Sequence, residues 1–229
     1  MELSKRLMCI IHNMDKCDSL VDIGTDHGYI PIYSVKNGIC DFAIASDINR
    51  GPKEKAENNV RFEGLSDKIK CKLGAGLSTV KLGEVEVAVI AGMGGNLIRD
   101  IVVQDIQKVK NFKYMILQPA QNSEILREFL YLNAFEIIKE DLVLDDEIFY
   151  EIFKIRYCEN RKDELVDPFY YEVSKKLIED NHPLLKDFIQ NKLDKYSSIL
   201  SFIKEDTEMA NRRKEEIQKK IEKLKELIV

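Results

Sequence analysis

The residues Ser19 to Tyr29 constrain the fold most, because they combine a predicted strand, a glycine turn and the start of a helix. The apolar run Leu20 to Ile23 predicts a buried strand. The chain then breaks at Gly24 and passes three polar residues to Gly28, where a helix-like segment begins. Glycines in such a turn let the backbone approach a ligand closely. The stretch therefore predicts the opening unit of a nucleotide-binding α/β domain.

The spacing of Asp22, Gly24 and Gly28 narrows the choice of ligand. It matches neither the Gly-x-Gly-x-x-Gly dinucleotide fingerprint nor the phosphate-binding Walker pattern. An acid two residues before the first glycine suits a ligand that carries an amino group rather than a pyrophosphate. This favours S-adenosylmethionine (SAM). The alternative is a tight strand–helix turn that binds nothing.

A second acid follows at the spacing expected for a nucleoside ligand. The run Phe42 to Ile48 predicts a second strand, which places Asp47 and Ile48 at its end, about 20 residues after the turn. An acid there can accept hydrogen bonds from both ribose hydroxyls of a bound nucleoside, and we favour that role. The alternative is a cap for the helix that begins at residues 49–52.

Three more strand predictions each lead into a candidate site segment. The third strand, Ile69 to Leu73, leads into a loop that would lie beside the adenine of a cofactor. The fourth, Val85 to Ile90, leads into a flexible glycine-dense loop that a planar substrate can approach. The fifth ends in a Gln-Pro pair. The site residues in these segments are Gly74, Ala75 and Gly76, then Ala91, Gly92, Met93 and Gly94, then Gln118 and Pro119.

The last two predicted strands identify the kind of sheet. Phe135 to Val143 and Ile148 to Tyr157 are separated by a polar break, which predicts an antiparallel hairpin. Five alternating β/α units closed by such a hairpin describe the α/β class I methyltransferase fold. This fold is Rossmann-like, with a seven-stranded, mostly parallel sheet.

The composition changes near residue 160, and we expect two domains, 1–160 and 161–229. Glycine is absent from residue 168 onward, and two apolar stripes at helical spacing predict a coiled-coil hairpin of two long helices. Residues 161–229 carry 15 basic and 15 acidic side chains. The lysines and arginines of 212–225 form either a local basic face or a solvated coiled-coil surface.

Composition also limits the classes of protein. The net charge of −5 does not favour nucleic-acid binding, although clustered charge can still serve it. No apolar run reaches the length of a membrane span, and the N-terminus lacks an apolar secretory region, so we expect a cytoplasmic protein. We also expect a monomer in solution. Five scattered cysteines and three dispersed histidines predict neither disulfides nor a metal site.

Three motifs together carry a family resemblance that covers essentially the whole chain. The segments Asp22–Pro31, Ala91–Gly95 and Leu117–Pro119 resemble the bacterial tRNA (adenine-22-N1)-methyltransferase family. The resemblance implies a SAM-binding domain followed by a helical part. It also implies methylation of N1 of an adenine in the D-arm region of tRNA, with SAM as cofactor and tRNA as partner.

The resemblance also implies which residues form the site. Cofactor contacts fall on Asp22, Gly24, Gly28, Asp47 and the loop at Gly74, Ala75 and Gly76. The catalytic region comprises Asp26, His27, Tyr29, the Ala91–Gly95 loop and the pair Gln118 and Pro119. Ala75 departs from the pattern, because a polar side chain usually meets the adenine amino group there. The glycine loop replaces the Asn/Asp-Pro-Pro-Tyr motif of exocyclic-amine methyltransferases, which argues against N6 methylation.

Adenine N1 carries a lone pair at neutral pH and can attack the sulfonium methyl directly when aligned with it. The product is cationic, so a carboxylate that accepts a hydrogen bond from the exocyclic amine stabilises the developing charge. Asp26 is the candidate, with Tyr29 contacting the base. His27 either orients Asp26 or is a structural turn residue. The target base must leave its stack to enter such a pocket.

Two other classes of function remain open from sequence. A SAM-dependent methyltransferase of a small molecule or a protein suits the acidic net charge. A SAM-binding scaffold whose coiled coil recruits a protein would bind SAM without turnover.

Overall fold

A computed structural model describes residues 2–162 and 164–228. Its centre is a seven-stranded sheet in the order β3-β2-β1-β4-β5-β7-β6. The strands are β1 (Cys17–Ile23), β2 (Cys40–Asp47), β3 (Ile69–Leu73), β4 (Val87–Gly94), β5 (Tyr114–Gln121), β6 (Phe135–Asp145) and β7 (Ile148–Tyr157). Strands β1 to β5 pair in parallel, while β7 pairs antiparallel with both β5 and β6. The predicted class I methyltransferase fold is therefore confirmed.

Helices connect the parallel strands, as parallel pairing requires. The connecting helices are α2 (Tyr29–Lys36), α3 (Arg50–Phe62), α4 (Gly95–Gln104), α5 (Ile106–Val109) and α6 (Ser123–Tyr131), while α1 (Lys5–His12) precedes β1. Strands β1 and β5 are buried along most of their length, and β4 over its first half, because helices cover the sheet. Ligands bind at the carboxyl ends of parallel strands in such folds, so the register of those ends positions the site.

The register brings the predicted site segments to one edge of the sheet. Ile23 at the end of β1 pairs with Ser46 on one side and with Ile90 on the other. Asp47 at the end of β2 pairs with Leu73 at the end of β3. The turns that follow β1, β2, β3 and β4 therefore start from the same edge.

The glycine-dense segment after Ile90 differs from its prediction as a flexible loop. Strand β4 continues to Gly94 beside β5, with irregular pairing in which Met93 lies opposite Pro119. Helix α4 then begins at Gly95, where an added Cβ would lie 2.2 Å from the carbonyl oxygen of Asn122. The glycine at position 95 serves this close backbone contact, so the segment is an ordered strand end.

The chain divides into two compact units, residues 1–166 and 167–229, later than the predicted boundary at 160. The residues just after 160 stay with the first unit because the Glu164 amide donates to the Tyr131 carbonyl at 2.9 Å. The second unit contains α7 (Phe169–Glu172), α8 (Lys175–Glu179), α9 (Leu185–Phe202) and α10 (Glu208–Glu226). The two long helices lie where the apolar stripes predicted them, and the two short ones were not predicted.

Glu172 joins the helices of the second unit. Its carboxylate accepts a hydrogen bond from the Tyr196 hydroxyl at 2.7 Å and pairs with Lys192 on α9 and Lys220 on α10. Burial opposes ionisation of this group, but the two lysines outweigh it and lower the pKa of Glu172. Lys223 pairs with Asp167 at 2.6 Å.

Within residues 2–162 and 164–228, no helix is both long and apolar enough to cross a membrane. The same residues contain no group of three His, Cys, Asp or Glu side chains arranged to hold a metal ion.

Candidate active site at the carboxyl end of the sheet

A cavity of about 390 Å³ opens at the carboxyl end of β1 and β4. Its wall includes seven of the predicted site residues, together with four that the sequence had not assigned to it. The predicted ones are Asp22, Gly24, Asp26, His27, Tyr29, Ala91 and Gly92. The others are Arg6, Leu7, Thr25 and Ile30.

The turn after β1 is held by the neighbouring strand. The amides of Gly24 and Thr25 both donate to the Ser46 carbonyl, at 2.8 and 2.9 Å. Gly24 has φ of +80°, a conformation that side chains disfavour. An added Cβ would also lie 2.3 Å from Cε of Met93, so the Met93 side chain packs over this turn. Met93 thus contributes to the site from behind Gly24.

Asp22 is a buried acid at the floor of the cavity, with 5% of its surface exposed. Burial raises the pKa of its carboxyl to about 6, a hydrogen bond from Thr25 opposes the rise, and Asp47 adds to it. The Thr25 hydroxyl also accepts from the Gly28 amide at 3.1 Å. Within the described chain Asp22 has no cationic partner. A cationic ligand group in the cavity would provide the missing counter-charge.

Asp26 lies at the mouth of the cavity, with 60% of its side chain exposed. One carboxylate oxygen is 3.4 Å from Nζ of Lys55, and the other is 3.2 Å from Nε2 of His27. The His27 ring stacks on Tyr29 with centroids 4.9 Å apart, and its carbonyl accepts from the Asn59 side chain at 3.0 Å. Helix α3 therefore fixes this turn, and Asp26 is oriented from two sides.

Arg6, on α1, lies in the cavity wall although the sequence motifs did not assign it to the site. Its Nη1 donates to Oε1 of Gln118 at 2.6 Å, and its guanidinium lies 5.3 Å from the ring centre of Tyr150. The Gly92 amide donates to the same Gln118 oxygen at 3.2 Å. Gln118 is fully buried, and its amide nitrogen donates to the carbonyl of Pro119. Gln118 therefore supports the cavity wall from behind.

The remaining predicted cofactor residues form a second group on β2 and β3. Asp47 is mostly buried, and its carboxylate accepts from the Asn49 amide at 2.7 Å, while its carbonyl accepts from Gly74 at 2.9 Å. Ile48 and Ala75 are exposed. These residues lie at the same sheet edge but outside the wall of the cavity, as do Gly28, Gly76, Met93, Gly94, Gln118 and Pro119.

The contacts of Arg6, Lys55 and Asn59 could not be predicted from the sequence, for a common reason. Each lies on a helix at a position whose spacing is equally compatible with a solvated face, and its partner is distant in sequence. The Arg6–Gln118 pair spans 112 residues and the Lys55–Asp26 pair spans 29. Arg6 and Leu7 of α1 cover one edge of the cavity.

The sheet order, the glycine turn after β1 and the acids at the ends of β1 and β2 define a class I methyltransferase that uses SAM. Residues 20–226 match the family model described as tRNA (adenine(22)-N(1))-methyltransferase. The chain belongs to that family, and the resemblance found in its motifs is confirmed.

Individual relatives match this chain along its full length. The tRNA (adenine(22)-N(1))-methyltransferase of Bacillus subtilis (strain 168) is 32% identical over 239 residues, which covers 100% of this chain and 98% of that protein. Streptococcus pneumoniae Sp1610, solved with S-adenosyl-L-methionine, has a TM-score of 0.88 at 28% identity over 100% of both chains. The TrmK of M. capricolum, solved with S-adenosyl-homocysteine, has a TM-score of 0.82 at 27% identity over 100% of this chain and 98% of that one.

Proposed function

We propose that this protein transfers a methyl group from SAM to N1 of adenine 22 in tRNA. The observation that carries the proposal is the full-length family match combined with the cavity at the carboxyl end of β1 and β4. The cavity contains two acids: Asp22, which is buried and has no cationic partner among the described residues, and Asp26, which lies at the cavity mouth. The first suits a cationic cofactor and the second suits a base that becomes cationic.

The residues of the two groups fit SAM by their chemistry. Asp22 would bind the ammonium group, with Gly24 and Gly28 shaping the turn beneath the ligand. Asp47 would accept hydrogen bonds from the ribose hydroxyls, with Ile48 and the loop Gly74, Ala75 and Gly76 beside the adenine. The exposed Ala75 has no polar side chain, so backbone groups of that loop must recognise the adenine amino group. Bound SAM supplies an activated methyl group.

The catalytic roles follow from the chemistry of N1 methylation. The attacking nitrogen has a free lone pair and needs no general base, so the chain has to position the adenine and stabilise positive charge. Asp26 accepts a hydrogen bond from the exocyclic amine, and His27 positions Asp26. Tyr29 contacts the base. Ala91 and Gly92 bound the substrate side of the cavity, Met93 and Gly94 continue β4 behind it, and Gln118 and Pro119 position this segment from β5.

We infer that the second unit contributes to tRNA binding by contacts to phosphates and shape. Three cations of α10 support this: Arg213, Lys219 and Lys225 have no ion-pair partner in the described chain, whereas Lys220 and Lys223 do. A cytoplasmic location accords with the substrate. A monomer accords with the net charge of −5, which keeps copies apart, and light scattering would measure it.

The test is methyl transfer from labelled SAM to unmodified tRNA, followed by nucleoside mass spectrometry. We expect 1-methyladenosine, and we expect it to be lost when adenine 22 of the transcript is replaced by guanine. SAM binding without any incorporation would contradict the proposal and favour a scaffold. N6-methyladenosine as the product would contradict the target atom.

A further inference from the structure

Strand β7 presents a row of apolar side chains on one face, and the row ends at an exposed isoleucine. Side chains alternate between the two faces of a strand, so Ile152, Tyr150 and Ile148 share one face. Ile152 is buried and Tyr150 is half-buried, whereas 51% of the Ile148 surface is exposed. The row therefore runs from the core to the tip of the β6–β7 hairpin.

Helix α1 packs on this face of the hairpin. The Arg6 amide donates to the Asp145 carboxylate at 3.0 Å, and the Arg6 guanidinium lies 5.3 Å from the ring centre of Tyr150. Asp145 is the cross-strand partner of Ile148. Because α1 begins at Lys5, Ile148 lies where the cover of this helix ends.

The same contacts place Ile148 at the rim of the cavity. Arg6 lines the cavity wall, and Ile148 is two residues from the Tyr150 that Arg6 contacts, about 7 Å along the strand. Arg6 is also bonded to Gln118 on β5, and β4 lies between β5 and the strand that carries Asp22. This rim is therefore across β4 from the acid assigned to the cofactor, on the substrate side.

The turn at the hairpin tip is tight and acidic. Asp146 and Glu147 connect the two strands with φ of +48° and +62°, the left-handed conformation of a two-residue hairpin turn. So short a turn keeps Ile148 in register with Asp145. Phosphates repel the two carboxylates of the turn, so the hairpin is suited to contact the apolar faces of bases rather than the RNA backbone.

We propose that Ile148 fills the place in the tRNA base stack that adenine 22 leaves when it enters the cavity. N1 lies on the pairing edge of adenine, so the base must leave its stack to reach the cofactor. Proteins that unstack bases fill the gap with an apolar side chain such as isoleucine. The inference rests on the proposed function, and it assigns Ile148 to the extrusion of the base rather than to the chemistry of methyl transfer.

The experiment measures single-turnover methylation of two tRNAs. One is an unmodified transcript, and the other carries a pyrene nucleotide opposite adenine 22, whose large ring fills the stack and displaces the adenine without help from the protein. Ile148→Ala should lower the rate constant about tenfold on the unmodified tRNA but come within about threefold of the wild type on the pyrene tRNA. Ile148→Leu should keep most of the wild-type rate on both, because it keeps the apolar volume.

The matched control is Leu144→Ala. Leu144 is 36% exposed at the same tip, but it lies on the opposite face of the hairpin, where it pairs with Phe149. This variant should keep the wild-type rate on both tRNAs. SAM affinity, measured by calorimetry, should be the same in every variant, because the hairpin tip lies on the substrate side.

Four results would overturn the assignment of Ile148. Equal losses on the two tRNAs in Ile148→Ala would make the residue an ordinary contact, and unchanged rates on both would leave it no role. An equal loss in Leu144→Ala would assign the effect to the tip as a whole. A dimer in light scattering that dissociates in Ile148→Ala would show that the exposed face joins two copies of this chain. A wild-type protein that does not methylate the unmodified tRNA would instead overturn the proposed function, and this inference with it.

Discussion

Asp22 is suited to binding a cationic ligand, but its buried carboxyl lowers the stability of the protein without ligand. Its carboxyl is buried, and burial raises its pKa to about 6, since no cation among residues 2–162 and 164–228 pairs with it. In the folded protein it therefore binds a proton more readily than in the unfolded chain. Between about pH 4 and 6 the folded state holds more protons, so this group lowers stability as the pH rises through that window.

The cofactor needs Asp22 in its ionised form. We expect SAM affinity to be constant above the pKa of about 6 and to fall by roughly tenfold per pH unit below it. Asp22→Asn should abolish this dependence, weaken SAM binding and stabilise the empty protein at pH 7 by roughly 3 kcal/mol. Calorimetric titrations from pH 5 to 8 and urea unfolding measure the effects. Affinity that does not change across pH 6 in the wild type would argue against the role of Asp22.

Asp26 is predicted to act in turnover rather than in cofactor binding. Asp26→Asn should lower kcat by about 100- to 1,000-fold while SAM affinity changes less than about twofold. The matched control is Lys55→Met, which removes the 3.4 Å partner of Asp26 and keeps the carboxylate. It should lower kcat by less than about tenfold. Undiminished turnover in Asp26→Asn would remove Asp26 from the mechanism.

At the scale of elements, α6 is joined to the terminal hairpin by a buried ion triad. Arg127 on α6 pairs with Glu140 on β6 at 2.7 Å and with Glu151 on β7. All three are buried, and the guanidinium lies 4.8 Å from the ring centre of Phe153. Burial alone would lower the pKa of Arg127, but the two carboxylates raise it.

Removing the cation should be costly because it leaves two buried carboxylates. We expect Arg127→Met to lower the free energy of unfolding by about 3 to 5 kcal/mol. The exposed pair Arg156–Glu136 provides the control, and Arg156→Met should cost much less than Arg127→Met because solvent screens the exposed pair. Adding Glu140→Gln and Glu151→Gln to Arg127→Met should recover stability. Urea unfolding measures all of these, and equal costs for the two arginine variants would contradict the argument.

The elements differ in how far sequence could predict them. The seven strands and the glycine turn were predicted because local apolar runs and turn residues carry that information. The triad was not, because an arginine within an amphipathic helix is ordinarily exposed and its partners lie 13 and 24 residues away. The Ala91–Gly95 segment was mistaken for a flexible loop because glycines also occur where strands and helices pack closely. Spacing cannot distinguish the two uses.

At the scale of the whole molecule, charge is divided between the two units. Residues 167–229 carry 13 basic and 13 acidic side chains, so the net charge of −5 lies entirely in residues 1–166. All residues of the cavity wall belong to the first unit. A chain ending at Val166 should therefore bind SAM within about threefold of the full chain but bind tRNA at least tenfold more weakly. Unchanged tRNA affinity would exclude the second unit from the interface.

A triple substitution in α10 tests whether its unpaired cations, rather than the second unit as a whole, contribute to tRNA binding. Replacing Arg213, Lys219 and Lys225 by glutamine should weaken tRNA binding about tenfold at low salt, because each phosphate that is no longer neutralised keeps its condensed counterion. The slope of log affinity against log salt should become shallower by up to about 2 to 3.

The control replaces Lys220 and Lys223, whose cations already pair with Glu172 and Asp167. That variant should lose stability more than tRNA affinity, because Glu172 becomes a carboxylate with fewer cations around it. If both variants lose the same tRNA affinity with the same change in slope, the unpaired cations of α10 are not the phosphate contacts, and the second unit binds tRNA through another surface.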